Sequence, residues 1–178
     1  MPPRTVVLVE GRSDRTALHA LATRLGRDLR AEGVEVLPMG GVTNTRTFAT
    51  HYGPPGLGLR LAGLYDEPDQ EHVRRGLAAA GLSLESVDFF ACHVDLEDEL
   101  VRAVGVAGTH AVIADQGETR SYQRLARMPA QRDWPEDAVL RRFFTSQSGR
   151  KERYAAAMVD ALDLDRAPSP LRRLLAAV

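Results

Sequence analysis

One cysteine, Cys92, in 178 residues leaves no partner for an internal disulfide and no ligand set for a cysteine-rich zinc site. It suits a reducing cytoplasm, with the thiol as a small buried apolar group near a strand end. Aromatics make up only 6% of the chain, so Val, Leu and Ala have to fill the core that a 44% hydrophobic content permits. No apolar run approaches the ~20 residues that cross a bilayer. The N-terminus, where Arg4 is followed by five apolar residues and then Glu10, does not read as a secretory signal. A cytoplasmic protein without a membrane partner is expected. The five histidines show neither HxH nor HExxH spacing, so each reads as structural or exposed. There is no internal repeat and no low-complexity segment. The formal net charge is only −1, but it hides a split. Acids cluster before residue 100, and Arg and Lys are dense over 120–153. A basic arm beside an acidic pocket suits an anionic polymer bridged to carboxylates by metal.

The length is that of one domain with a small extension. Thr5–Val9 is a short β-branched run and reads as a buried strand, ended by Glu10-Gly11. Ser13 is placed to cap a helix from Asp14 to about Arg30, with Ala17, Leu18, Leu21, Leu25 and Leu29 as its buried stripe. Val34–Leu37 is a second strand, and Gly40-Gly41 turns the chain into a short helix through Thr47–His51. Leu59–Tyr65 is the third strand, ending at Asp66, and a helix follows from about Asp69 to Ala80. Val87–Cys92 is the fourth strand, and Asp95 opens a helix to Val104. Strands alternating with helices predict an α/β fold with a four-stranded, mostly parallel sheet between helices. Beyond about Thr109 only helices are expected, near 110–127, 136–145, 149–162 and 169–177. The expected division is a core over 1–108 and a helical extension over 109–178 packed on it.

Ligands of open parallel sheets sit at the carboxyl ends of the strands. Glu10 ends the first strand, Asp66 ends the third, and Asp95 and Glu97 follow the fourth. Asp14 lies one helical turn beyond Glu10. Converging carboxylates repel one another unless a hard cation such as Mg²⁺ or Mn²⁺ joins them. Each acid also has a plainer reading. Asp14 fits the first turn of a helix by its dipole, Asp95 with Asp98 fits a capping box, and Glu67, Asp69, Glu71 and Glu99 fit a solvated surface.

The segment Val7-Leu8-Val9-Glu10-Gly11-Arg12-Ser13-Asp14 resembles the first motif of TOPRIM domains, a hydrophobic strand ending in Glu-Gly with an Asp four residues after the Glu. The nearest likeness is to the TOPRIM part of OLD-type nucleases. Val36–Asn44 is similar to that group's second strand and glycine turn, and Leu64-Tyr65-Asp66 to the start of its Asp-x-Asp motif. Asp95–Leu100 is similar to its acidic segment, and Ser148-Gly149-Arg150-Lys151 to the segment with a late basic residue. The resemblance implies a TOPRIM (Rossmann-like) fold and a metal-dependent endonuclease that hydrolyses nucleic-acid phosphodiesters, DNA foremost, with little sequence specificity. It further implies one or two ions, two lying about 3.5–4 Å apart where both bind. Metal ligands implied are Glu10, Asp14, Asp66 and Asp69, with Asp95 and Glu97 as further ligands or orienters, Glu97 preferred. Lys151 is the implied stabiliser of transition-state charge beside Glu10 and Asp66; its plainer reading is an ordinary cation at a helix start. Arg124, Arg127, Arg132, Arg141, Arg142 and Arg150 are candidate phosphate contacts, and Gly40 a point of close backbone approach.

Two departures stand out. The second Asp-x-Asp carboxylate is due at Pro68, with Asp69 one residue late. No GxxxxGK[ST] loop is present, so ATP dependence calls for a separate ATPase partner. A homodimer is compatible with the sequence. A topoisomerase reading would need a strand-passage gate around Tyr122 or Tyr154, and a primase reading a zinc module; neither is evident. Two alternatives stay open. One is a phospho-acceptor signalling domain, which also has an Asp after strand three but places its first acids side by side. The other is a non-catalytic TOPRIM-like scaffold that binds metal or nucleic acid with a separate ATPase.

Overall fold

The computed structural model describes residues 2–178. Four strands form one parallel sheet in the order β2-β1-β3-β4. They are β1 (Thr5–Val9), β2 (Val34–Pro38), β3 (Arg60–Asp66) and β4 (Asp88–Cys92). β1 is buried along its whole length, as a central parallel strand covered on both faces must be. Its side chains alternate. Val7 and Val9 enter one apolar cluster with Leu18, Leu64 and Leu100, while Val6 and Leu8 enter another with Leu61, Leu77 and Phe89.

Helix α1 (Arg12–Arg24) covers the first face, and α2 (Thr45–Tyr52) with α3 (Gln70–Ala78) covers the second. The remaining helices are α4 (Leu96–Val104), α5 (Val106–Asp115), α6 (Thr119–Ala126), α7 (Glu136–Thr145), α8 (Arg150–Ala161) and α9 (Ser169–Ala177). Tyr154, Phe143, Leu140 and Leu171 share one cluster with Val7, Val9 and Leu18, so the C-terminal helices complete the core of the α1 face. The division expected at residue 108 falls inside α5.

Three local expectations differ from the structure. α1 starts two residues early, with Gly11 rather than Ser13 at its N-cap, and ends at Arg24 rather than near Arg30. Gly26, at φ 74°, reverses the chain there, the usual glycine role just past a helix end. Two arginines at this helix end brace the fold. Arg24 Nη1 donates to Val159 O and Leu162 O at 2.6 and 2.7 Å, capping α8. Arg27 Nη2 donates to Val178 O at 2.8 Å, tying down the C-terminus. Finally, the helix expected over 110–127 is two helices parted at Gly117, φ 70°.

The sheet order positions the site. β2 lies on one side of β1 and β3 on the other, so the connections leaving β1 and β3 diverge to opposite faces. A crevice opens at the carboxyl ends of these neighbouring strands, the topological switch point.

Candidate metal centre

Glu10 leaves the end of β1 at this crevice. Its carbonyl is gripped by the glycine turn after β2, where Gly40 N–H and Gly41 N–H donate to Glu10 O at 2.9 and 3.2 Å. The two glycines sit at φ 74° and 126°, a conformation other residues rarely adopt. Gly40 was expected to be a point of close backbone approach to phosphate; its amide donates to the Glu10 carbonyl.

Asp66 ends β3 next door. The chain then makes a single 3₁₀ turn, Glu67–Asp69, with Pro68 inside it. At three residues per turn, positions i and i+3 eclipse, which returns Asp69 over Asp66. Glu10, Asp66 and Asp69 thereby bring one carboxylate oxygen each within 4.8 Å of the others. In an extended chain the carboxylates on one face would be two residues apart. Pro68 in a tight turn shifts the second one to the third position. The sequence signal was the Asp66-Glu67-Pro68-Asp69 turn itself.

Asp14 lies beside this triad rather than in it. Its Oδ2 accepts Gly11 N–H at 2.7 Å, so it caps α1 as well as lining the cleft. The electrostatics are those of crowded acids. Burial, then the charges of Glu10 and Asp14, push the Asp66 carboxyl up to about 8. Burial foremost, and then Asp14 and Asp69, also raise Glu10. Burial raises Asp14 despite its hydrogen bond to Gly11. Three facing oxygens that cannot all ionise alone fit a divalent cation with oxygen preference, and these are the residues that would hold it.

Lys151 enters the same cleft from the start of α8. Gly149, at φ 76°, precedes it and turns the chain into that helix. The cleft, about 330 Å³, is lined by Glu10, Asp14, Asp66, Arg12, Ser148 and Lys151, with Gly149 and Glu152 at its edge. Lys151 Nζ lies 3.0 Å from Glu97 Oε2. The pair lacks hydrogen-bond alignment, and both Glu97 oxygens are otherwise without partners. Burial alone would lower the Lys151 ammonium, but Glu97 outweighs it and holds the group above its ordinary value. Burial raises Glu97 to about 6 against the pull of Lys151. Among all 23 Lys and Arg residues, Lys151 is the sole lysine, a signal that sequence reading passed over along with Arg12, Ser148 and Glu152.

Asp95 and Glu97, expected as further ligands or orienters, each lie in an ion pair. Asp95 Oδ1 accepts Asp98 N–H at 2.8 Å as the N-cap of α4, and its Oδ2 accepts from Arg141 at 2.7 Å. Both its oxygens are engaged in the structure, one by the helix start and one by Arg141. Glu97 is 4% exposed, faces Lys151, and is not among the three acids that converge.

The candidate phosphate contacts fare unevenly. Arg141 is committed to Asp95. Arg150 is only 3% exposed. Its guanidinium stacks 4.0 Å from the Phe143 ring centre, donates to Glu118 Oε1 at 2.9 Å and to Ser146 Oγ at 2.6 Å. A cation so enclosed binds the fold together and cannot reach a polymer. Replacing it (Arg150→Ala) removes one donor from Glu118, which keeps Arg153 and Tyr154, and empties the space against Phe143; a loss of about 1.5–3 kcal/mol of stability in urea unfolding is expected. Arg124, Arg127, Arg132 and Arg142 are exposed but do not line the cleft.

Residues 4–67 match the family model for the "Overcoming lysogenization defect protein-like, TOPRIM domain". Over these residues the chain is similar to an OLD-like TOPRIM domain. Among solved structures, it is similar to the C-terminal region of the Burkholderia pseudomallei OLD protein at TM-score 0.74 and 23% identity, covering 99% of this chain and 97% of that one. It is also similar to the C-terminal region of the Xanthomonas campestris pv. campestris OLD protein at TM-score 0.73 and 25% identity, with 98% and 93% covered. The likeness therefore runs past the TOPRIM core through the C-terminal helices. No curated protein sequence matches the chain. Among the described residues, no helix is long and apolar enough to cross a membrane.

Proposed function

We propose that this chain is a divalent-metal-dependent nuclease that hydrolyses nucleic-acid phosphodiester bonds, DNA foremost. The observation that carries the reading is the Glu10, Asp66 and Asp69 triad at the switch point of the sheet, with Lys151 lining the same cleft. A bound Mg²⁺ or Mn²⁺ would supply an activated water and a positive charge on a phosphate oxygen.

The chain's own groups divide the remaining work. Glu10 and Asp66 would hold the ion from two strands whose spacing is fixed by the sheet. Asp69 completes the oxygen set through the 3₁₀ turn. Asp14 fixes the start of α1 through Gly11 and adds negative potential to the cleft. Lys151 holds its proton firmly, so it acts as a fixed positive charge on the pentavalent phosphorus oxygens and not as a proton donor. Arg12 adds a second cation at the mouth of the cleft.

The engagement of Asp95 and Glu97 in ion pairs favours, as a second reading, a TOPRIM scaffold that binds metal without cutting and acts with a separate ATPase. Incubating supercoiled plasmid with Mn²⁺ or Mg²⁺ separates the two. Wild type is expected to nick, while Glu10→Gln and Asp66→Asn leave the plasmid supercoiled. Equal nicking by all three would remove the nuclease assignment, and no nicking by any would leave the scaffold.

A further inference from the structure

Helix α6 turns one side to the C-terminal core and the other to solvent. On the inner side Tyr122 packs edge-on against Phe143, ring centres 5.5 Å apart, and Leu125 and Ala126 rest on the same cluster. Arg120, Arg124 and Arg127 recur at i, i+4 and i+7, so they form one stripe on the opposite side. All three are exposed, as is Arg132 beyond them. From Thr119 to Arg132 the sequence holds no acid. Among the described residues, none of the four arginines lies in an ion pair, whereas Arg74 and Arg75 of α3 both pair with Glu71. Like charges one turn apart repel and weaken a helix. No acid of this segment offsets that repulsion; an anion laid along the stripe would.

The stripe has a defined start and end. Ser121, next to Arg120, accepts from Arg150 Nη2 at 3.2 Å, and the neighbouring Lys151 lines the metal cleft. The start of α6 is thus fastened to the helix start that borders the cleft. At the other end two tight turns follow Arg127. Gln131 N–H donates to Met128 O at 3.0 Å and Trp134 N–H to Gln131 O at 3.1 Å. Gln131 is buried and pins this loop. Met128 and Trp134, the single tryptophan, stand out from it at 45% and 44% exposure.

Along the helix axis Arg120 and Arg127 lie about 10 Å apart, the span of about three backbone phosphates. A row of cations ending on an open aromatic ring suits a polyanion that also carries flat apolar faces. We propose that a single strand of nucleic acid runs from the metal cleft along α6, with its phosphates on Arg120, Arg124, Arg127 and Arg132 and a base stacked on Trp134. A ring takes a base only from an unpaired strand, which favours single strand over duplex. The choice of nucleic acid as the polyanion rests on the nuclease reading.

The test is fluorescence anisotropy of a fluorescein-labelled single-stranded DNA oligonucleotide with the full chain in Ca²⁺, across a salt series. Arg120→Gln/Arg124→Gln/Arg127→Gln is expected to weaken binding about tenfold or more and to lower the salt slope by about 2 for three lost phosphate contacts. Trp134→Ala is expected to weaken it about fivefold or more with the slope unchanged. Arg30→Gln/Arg166→Gln/Arg172→Gln, an equal loss of charge elsewhere on the surface, is expected to change affinity less than about twofold. Thermal melts matching wild type confirm that these exposed substitutions leave the fold intact. Wild-type affinity in the α6 variant would overturn the proposal, as would an equal loss in the control triple, duplex bound as tightly as single strand, or no binding by wild type. Plasmid nicking is scored separately: a wild type that binds along α6 without cutting removes the nuclease reading and leaves the strand path standing.

Discussion

Lys151→Met is expected to lower plasmid nicking at least about a hundredfold, the usual cost of removing a preorganised charge from a transition state. It is also expected to destabilise the fold by about 2 kcal/mol at pH 7. The second effect comes from Glu97, buried to 4% exposure with Lys151 as its one ion-pair partner. Deleting the cation leaves a carboxylate with neither water nor charge to meet it. Glu97 already stands at about 6, so without Lys151 it takes up a proton near neutrality, and the cost of the substitution grows as pH rises from 6 to 8. The double variant Glu97→Gln/Lys151→Met removes both halves of the pair and should recover most of the stability but none of the activity. Urea unfolding beside a nicking assay reads both. If the single and double variants unfold at the same urea concentration, the pair is not what holds α8 against α4. Because Lys151 is the only lysine, amine acetylation touches it and the N-terminus alone. Modified wild type should lose nicking as Lys151→Met does.

Asp66→Asn is expected to stabilise the metal-free protein while abolishing its response to metal. The sign follows from the raised carboxyl. Asp66 stands at about 8 in the fold against 3.8 in the open chain, so the folded state holds the proton that the unfolded state has released. Its contribution to stability is complete below about pH 4 and is lost as pH rises through about 8. Asparagine has no proton to lose. At pH 8 the variant should therefore gain on the order of 1–2 kcal/mol, once the solvent reaching this half-buried group is allowed for. That corresponds to roughly 3–8 °C in melting temperature. At pH 4 the difference should vanish. Wild type should rise on adding millimolar Mg²⁺ or Mn²⁺, because an ion that binds only the folded state stabilises it by mass action; the variant should not. A metal-dependent rise in Asp66→Asn equal to that of wild type would place the ion elsewhere.

The two results together separate the parts of the centre. On the proposed reading Asp66 would supply much of the site's affinity for a cation, and burial with the neighbouring acids raises its carboxyl without one. Lys151 gives it a positive charge that persists across the working pH range. The cleft between them has room for a phosphate, and Arg12 at the start of α1 adds a second cation to its lining.

Much of this was legible in residue order alone. A β-branched run ending in Glu-Gly, repeated strand–helix alternation and an Asp closing the third strand sufficed for a parallel α/β sheet with Glu10 and Asp66 at its carboxyl edge. Those features are local: β-branched residues prefer strands, and glycine punctuates helices. Strand-end acids point the same way in any parallel sheet. Other matters were decided by contacts between segments far apart in the chain. Nothing at Asp95 announced that Arg141 would claim its second oxygen, and nothing at Arg150 announced the Phe143 ring and Glu118 carboxylate that bury it. A surface arginine and an entombed one look alike in sequence, because burial is a property of what packs against a side chain. The order β2-β1-β3-β4 set Glu10 beside Asp66, and the 3₁₀ turn through Pro68 carried Asp69 to them. The sequence by itself determined which acids stood at the edge of the sheet; the tertiary structure decided which three met, because ligation depends on distances of a few ångströms that only packing defines.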